Sequence, residues 1–217
     1  MRHFDLEINE LKKQLVDMAA LVREMIKSIM DQLISKNADF HDKLFAIEKE
    51  VNIQEIVIDD KCLKLIALNQ PVGTDLRFIT SAMKINTDLE RMADEAIGIA
   101  KKIDINLDVI ENVSKMAGIV RQMVEDAINA FNKSDVDLAN SVLDKDRELS
   151  NLKDEILQRL KESMMKSTDS EMIGKYLDQV MMLRNIQRIG DHATNISEDV
   201  IFMVQGKDIR HPKAFSK

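Results

Sequence analysis

The chain has 217 residues, of which 45% are hydrophobic and 32% are charged, with 6 glycines, 2 prolines and no tryptophan. This length suffices for one large domain or two small ones with buried cores, and the composition is typical of a helical protein in water. The net charge of −7 argues against a role in binding DNA or RNA, because affinity for the phosphate backbone comes largely from clustered lysine and arginine.

The sequence carries no signal for secretion or for membrane insertion. Its first residues, MRHFD, lack the uninterrupted apolar segment of a signal peptide, and no later stretch approaches a membrane-spanning run. We therefore expect a cytoplasmic protein that reaches a membrane only through its partners. Cys62 is the only cysteine, so no internal disulfide can form, and its place in an apolar pattern predicts a buried, unreactive thiol.

In the first half of the chain, apolar residues recur every three or four positions, which is the spacing of amphipathic helices. The first helix has the apolar positions Phe4, Ile8, Leu11, Leu15, Met18, Val22, Met25 and Ile29. The second, which Asn37 can cap, has the apolar positions Leu44, Ile47, Val51, Ile58, Cys62 and Leu65. The third begins with Pro71 at its first position and Asp75 in its first turn, where the helix dipole favours an acid. It ends before Asp104, and its apolar positions are Ile85, Leu89, Met92, Ala96, Ile99 and Ile103.

The second half of the chain repeats this plan. A fourth helix, which Asn106 can cap, has the apolar positions Val109, Val113, Met116, Val120, Met123, Ala127 and Ala130. Asp135 is the predicted N-cap of a fifth helix with the apolar positions Leu149, Leu152, Ile156, Leu160 and Met164. Residues 168–171 have capping-box spacing and predict, with Thr168 as the cap, the start of a sixth helix that ends at Gly206. Its apolar positions are Met182, Ile186, Ile189, Ala193, Ile196, Val200 and Met203.

These patterns predict an all-α protein of six long helices, arranged as two tandem three-helix bundles. The first bundle covers residues 1–104 and the second covers residues 105–217. A helix of about 30 residues is about 45 Å long, so we expect an elongated molecule. A β-sheet has no support, because period-two alternation and Asx-Gly turns are both absent.

A polar segment occurs once in each predicted bundle. The residues LERMAD at 89–94 return as IQRIGD at 186–191, and aligning Asp94 with Asp191 gives an offset of 191 minus 94, or 97. At that offset Arg91 aligns with Arg188. An internal repeat of this kind indicates that the two bundles are copies of one structural unit.

The repeated acids occupy the helix face opposite the apolar positions. Glu90 and Asp94 lie four residues apart on the third helix, and Gln187 and Asp191 take the same places on the sixth. Two such side chains are neighbours, near enough to hold one hard cation together. Spacing alone leaves open a metal site and a solvated acidic face.

These motifs resemble those of the PhoU family of cytoplasmic phosphate-signalling proteins, in which two three-helix repeats each carry a Glu/Asp-xxx-Asp motif. DLERMAD at 88–94 looks like the first motif, and QRIGDHATNISE at 187–198 looks like the second. QPVGTDLR at 70–77 resembles the entry to the family's third helix, and VQGKDIRH at 204–211 resembles its terminal segment. The resemblance covers nearly the whole chain and implies the same six-helix fold as the apolar spacing.

The resemblance also implies two surface metal sites, one in each repeat, formed by the second and third helices of that repeat. Carried over by position, the first site has the ligands Glu48, Asn52, Glu90 and Asp94. The second has Asp146, Ser150, Gln187 and Asp191. Fe, Mn, Mg or Zn would suit such oxygen ligands. The second site departs from the family pattern, because Gln187 stands where Glu is usual and Ser150 where Asp is common.

The function that the resemblance implies is regulation rather than catalysis. PhoU-type proteins couple the phosphate ABC transporter, through its ATPase subunit, to a membrane sensor histidine kinase and repress the phosphate-starvation response. We expect that role here, with no enzymatic activity, since no nucleophile triad, phosphate-cradling glycine loop or Rossmann turn occurs. Homodimerisation is a weaker expectation.

Two functions from other classes are alternatives to this role. A ferritin-like di-metal oxidase needs Glu-x-x-His motifs, and no glutamate in this chain has a histidine three positions later. A metal-binding helical scaffold, or a paralogue outside phosphate signalling, remains open. For the nearby polar residues, we expect Arg91 to pair with Glu95 along the helix and His192 to be a surface imidazole.

Overall fold

The chain folds into six long α-helices in the computed structural model, which describes residues 3–35, 41–103 and 111–210. The helices are α1 (His3–Ser35), α2 (His41–Asn69), α3 (Gly73–Ala100), α4 (Glu111–Lys133), α5 (Val136–Lys166) and α6 (Ser170–Gln205). No strand occurs in these described ranges, which confirms the all-α prediction. The longest helix, α6, has 36 residues and is therefore about 54 Å long.

Each half of the chain forms the predicted three-helix unit. In the first unit α1, α2 and α3 pack against one another, and in the second α4, α5 and α6 do so. The two units meet along α3 and α6 and along α1 and α4, so these four helices form the centre, with α2 and α5 on the flanks. One continuous hydrophobic core runs through both units.

The buried positions match those that the apolar spacing predicted. Equivalent core residues of α1 and α4 lie 98 positions apart, as with Leu15 and Val113 (113 minus 15), both at most 1% exposed. On α3 and α6 the offset is 97, as with Leu89 and Ile186. Cys62 is fully buried, as predicted, and burial raises its thiol pKa to about 12, which disfavours the reactive thiolate.

Two predicted helix ends are confirmed and a third is wrong by one residue. The Asp135 carboxylate accepts a hydrogen bond of 3.0 Å from the backbone N–H of Leu138, as an N-cap should. Gly206 ends α6 with a φ of 69°, a conformation that glycine adopts without strain. The N-cap of α6 is Asp169 rather than Thr168, because the Asp169 carboxylate accepts from the Glu171 N–H at 2.9 Å.

The predicted start of α3 is also wrong. The helix begins at Gly73 rather than at Pro71, because Val72 has an extended backbone and Gly73 has a φ of 59°. Asp75 does lie in the first turn, as predicted. The predicted caps Asn37 and Asn106 and the predicted junction between residues 1–104 and 105–217 lie outside the described residues.

Helices α3 and α6 run antiparallel. One polar contact between them occurs twice: each of its two positions is filled once from the first repeat and once from the second. Asp88 Oδ1 of the first repeat lies 2.7 Å from His192 Nδ1 and accepts from Asn195 Nδ2 at 3.1 Å. Asn185 and Glu95 occupy the equivalent positions (185 minus 88 and 192 minus 95 both give 97). With its amide oriented to suit both partners, Asn185 donates to Glu95 Oε2 at 3.1 Å. The two repeats are therefore related by an approximate two-fold symmetry.

This interface corrects two of the sequence predictions. His192 is not a surface imidazole, because α3 covers it and leaves its side chain 14% exposed. Arg91 does not pair with Glu95; it lies 3.4 Å from Glu90, while Glu95 points across the interface to Arg188 at 3.0 Å. Both errors arise because contacts from the other repeat outcompete those available along a single helix.

Close packing of α6 on α5 depends on Gly190. A methyl group at Gly190 would lie 2.3 Å from the Cδ2 atom of Leu149, a core residue with no exposed surface. Gly118, in the interior of α4, has no neighbouring atom within 4 Å of the same point. Alanine variants at the two glycines therefore distinguish two effects of an added methyl group. At Gly190 it changes both core packing and helix propensity, and at Gly118 it changes helix propensity alone.

We predict that Gly190→Ala lowers the free energy of unfolding by about 1–3 kcal/mol, because Leu149 must move within a packed core. Gly118→Ala should raise it by about 0.5–1 kcal/mol, because alanine is the better helix former. Urea unfolding followed by far-UV circular dichroism measures both. Equal changes in the two variants would show that Gly190 is not a packing constraint.

Candidate functional site

The predicted ligands of the first metal site lie on two neighbouring antiparallel helices. Glu48 and Asn52 are one turn apart on α2, and the Asn52 amide donates to Glu48 Oε1 at 2.8 Å. The other amide atom, Asn52 Oδ1, is buried and has no hydrogen-bond partner among the described residues. This oxygen has a lone pair available for a cation.

On α3, Glu90 and Asp94 lie one turn apart and interact directly. Asp94 is exposed, as predicted, whereas the Glu90 side chain is only 16% exposed. Burial raises the pKa of Glu90, the charge of Asp94 raises it further, and Arg91 partly offsets both effects. The fold thus holds the exposed Asp94 carboxyl group beside the partly buried Glu90 carboxyl group, where a bound cation would relieve their repulsion.

The acidic surface between α2 and α3 extends beyond the predicted residues. Burial raises the pKa of Glu55, and the charges of Asp59 and Asp94 add to that effect. Asn86 donates to the Glu55 carbonyl oxygen at 3.0 Å and to Asp59 Oδ1 at 2.9 Å. Sequence reasoning missed this pair, although Glu55 and Asp59 have the same four-residue spacing as the repeated acids.

The second site has the same layout on α5 and α6. The Gln187 amide donates to Asp191 Oδ1 at 2.9 Å, so an amide and a carboxylate joined by a hydrogen bond stand at the positions of Glu90 and Asp94 in the first site. Burial raises the pKa of Asp146, and the negative charge of Asp191 on α6 raises it further. Ser150 lies half-buried one turn after Asp146 on α5.

The chemistry of these side chains fits a cation that prefers oxygen ligands. Asp146 Oδ1 and Gln187 Oε1 are buried without a hydrogen-bond partner in the described part of the chain, as is Asn52 Oδ1. All three are acceptor oxygens of the kind that hard cations bind. Within the same part of the chain, no three acid, histidine or cysteine side chains converge on one point. Neutral amide oxygens would therefore have to complete either site, and metal binding stays a prediction.

The fold and these surfaces define a duplicated six-helix protein with an acidic face on each repeat. The family model described as the PhoU domain matches the chain twice, over residues 15–103 and 113–200. The chain therefore belongs to the PhoU family. No helix in the described ranges is long and apolar enough to cross a membrane.

Two relatives match almost the full chain. The phosphate-specific transport system accessory protein PhoU homolog of Pseudomonas putida is 35% identical over 216 residues, covering 97% of this chain and 84% of that protein. The phosphate-specific transport system accessory protein PhoU of Escherichia coli strain K12 is 27% identical, covering 96% of this chain and 88% of that protein.

Solved structures agree with the fold. The crystal structure of PhoU from Pseudomonas aeruginosa has a TM-score of 0.87 at 32% identity and covers 94% of this chain and 100% of that one. The phosphate transport system regulatory protein PhoU from Streptococcus pneumoniae has a TM-score of 0.84 at 27% identity and covers 95% of this chain and 99% of that one. The predicted fold and family are thereby confirmed.

We predict that metal binds more tightly at the first site, because the predicted ligand set there carries more negative charge: Glu48, Glu90 and Asp94 against Asp146 and Asp191 at the second site. Asp94→Asn should remove most of the bound metal, and Gln187→Glu should increase binding at the second site. Elemental analysis after reconstitution with Fe, Mn, Mg or Zn measures both effects. In metal-free protein Asp94→Asn should also raise the unfolding midpoint, because it removes the repulsion with Glu90.

The matched control is Asp144→Asn, a change at an exposed acid on α5 outside both sites. It should leave metal content unchanged. Equal metal loss in Asp94→Asn and Asp144→Asn, or no metal above background in the wild type, would mean that these acids form a solvated face.

Proposed function

We propose that this protein is a cytoplasmic regulator of phosphate homeostasis. In this role it couples the phosphate ABC transporter to a membrane sensor histidine kinase and represses the phosphate-starvation response when phosphate is ample. The names of its relatives, accessory and regulatory proteins of phosphate transport systems, support the association with a transporter. The protein acts through contacts with its partners and catalyses no reaction.

The observation that carries this proposal is an apolar surface on the outer face of α2, which we call the α2 face. Its five residues have exposed fractions between 48% and 79% and lie at helical spacing: Ile53, Ile56, Val57, Leu63 and Leu68. Exposed apolar clusters of this kind mark surfaces that bind other proteins. The α2 face gives an adaptor a place to dock.

The second repeat provides an internal comparison for the α2 face. Core residues of α2 and α5 are equivalent at an offset of 98, as with Val51 and Leu149 (149 minus 51). At that offset the five apolar residues are replaced by polar ones: Asn151, Asp154, Glu155, Lys161 and Lys166. The fold therefore does not need apolar residues at these positions, which favours a binding role for those on α2.

We assign the α2 face to the ATPase subunit of the transporter. The face adjoins the acidic surface between α2 and α3, because Ile53 and Ile56 alternate along the helix with Asn52 and Glu55. A cation at the first site would hold α2 against α3 and so fix the position of the docking surface. In this proposal the metal stabilises the docking surface and does not contact the partner.

The docking role can be tested by replacing apolar residues of the α2 face with the polar residues found at the equivalent positions of α5. We predict that Ile53→Asn, Ile56→Asp and Val57→Glu together leave the helix content unchanged, since each new residue occurs at the equivalent position of α5. The combined variant should lower retention by the ATPase subunit at least about tenfold, as expected when apolar anchors are lost from an interface. It should also derepress phosphate-starvation genes in phosphate-rich medium, as gene deletion should.

The control variant is Asn140→Asp with Asn151→Asp, which adds the same two negative charges on α5. It should retain both the association and the repression. Unchanged association of the α2 variant would reject the docking surface, and unchanged reporter expression on gene deletion would identify a scaffold or a paralogue outside phosphate signalling. Conversion of a dimer to a monomer without loss of ATPase binding would assign the α2 face to a homodimer instead.

A further inference from the structure

A groove between α1 and α4 concentrates positive charge in a chain whose net charge is −7. Its volume is about 210 Å³, and Arg23, Lys27 and Arg121 line its sides. Ile26 and Val124, both buried, form its floor. The groove lies where the two repeats meet, away from the acidic surfaces that α2 and α5 contribute to.

The groove is built from equivalent residues of the two repeats. At the offset of 98, Arg23 corresponds to Arg121 (121 minus 23) and Ile26 to Val124 (124 minus 26). Each repeat thus contributes one guanidinium group and one apolar floor residue to the same space.

The third equivalent pair breaks this symmetry. Arg23 lies 3.4 Å from Glu125. The residue of the first repeat equivalent to Glu125 is Lys27 (125 minus 98), so Arg121 has a cation at that position instead of an acid. Arg121 contacts Asp31 at 2.8 Å instead. Lys27 is exposed and makes no ion pair within the described ranges. The groove therefore has a cation that no carboxylate of the described residues contacts at ion-pair distance.

The existing ion pairs would not prevent a ligand from binding. The side chains of Arg23 and Glu125 are 41% and 43% exposed, and those of Arg121 and Asp31 are 48% and 44% exposed. Pairs this exposed contribute little to stability because water screens them. A multivalent oxyanion, by contrast, can accept several charge-assisted hydrogen bonds at once, and the guanidinium fork suits its geometry.

We propose that this groove binds a small multivalent oxyanion of the phosphate or diphosphate class. Arg23 and Arg121 hold the anion from opposite repeats, Lys27 supplies the third positive charge, and Glu125 opposes binding by repulsion. The bound anion bridges α1 and α4 and so stabilises the contact between the repeats. This inference goes beyond the docking role of the α2 face and does not depend on it.

Isothermal titration calorimetry on the full chain tests the proposal, with inorganic phosphate, diphosphate and glycerol phosphate as ligands. The protein is first stripped of metal with a chelator, so that no cation at the acidic surfaces can hold the anion. Diphosphate should bind more tightly than phosphate, and added salt should weaken both. Binding should also raise the unfolding midpoint. Glycerol phosphate binding as tightly as phosphate would identify the phosphoryl group of a larger molecule as the ligand.

Substitutions distinguish binding in the groove from non-specific attraction of the anion to surface lysines. Lys27→Met and Arg121→Met should each weaken diphosphate binding about tenfold, the loss expected for one charge-assisted hydrogen bond. Glu125→Gln should strengthen it. The matched control is Lys115→Met on α4, whose exposed lysine lies 3.5 Å from Glu148 and outside the groove. That change should leave affinity unaltered.

Two results would overturn the proposal. One is the absence of both binding heat and any shift of the unfolding midpoint with diphosphate. The other is an equal loss of affinity in Lys27→Met and Lys115→Met, which would indicate non-specific attraction. Lys27 is exposed, so its replacement should not impair folding. The Lys27→Met variant should still be retained by the transporter ATPase, because docking uses the α2 face. This measurement separates a failure of the oxyanion proposal from a failure of the docking proposal.

Discussion

The antiparallel packing of α3 on α6 is the contact on which the rest of the molecule depends. Both helices bury an apolar side against each other and against the neighbouring core, and Gly190 allows α6 to approach α5 closely enough to close the second unit. Polar groups at the edges of the interface are paired across it, as with Asp88 and His192. Since a buried polar group without a partner is costly, these pairs set the register of one repeat on the other.

The two repeats share one backbone fold and one pattern of core residues, but their surfaces differ. Core positions of the two repeats remain equivalent because each must fill the same space between three helices. Surface positions carry no such constraint, so α2 presents apolar residues where α5 presents charged and amide groups. Comparing the repeats within one chain therefore separates residues that the fold requires from residues that serve binding.

Charge is distributed unevenly over this scaffold. Acids collect where α2 meets α3 and where α5 meets α6, and partial burial raises the pKa of Glu90 and of Asp146. Cations collect where α1 meets α4, around Arg23 and Arg121. These surfaces lie between different pairs of helices, so a cation and an oxyanion could bind the same molecule without competing for the same groups.

The sequence by itself determined the six helices, the ends at Asp135 and Gly206, the duplication and the core residues, because helical periodicity records which side of each helix avoids water. It also placed Glu90 and Asp94 on one face, since their spacing alone decides that. Only the tertiary structure decided which helix covers each face. It buried His192 under α3, brought Arg188 to Glu95, and formed the groove between α1 and α4. Those contacts join residues about a hundred positions apart, and no pattern within one helix specifies which distant helix will pack beside it.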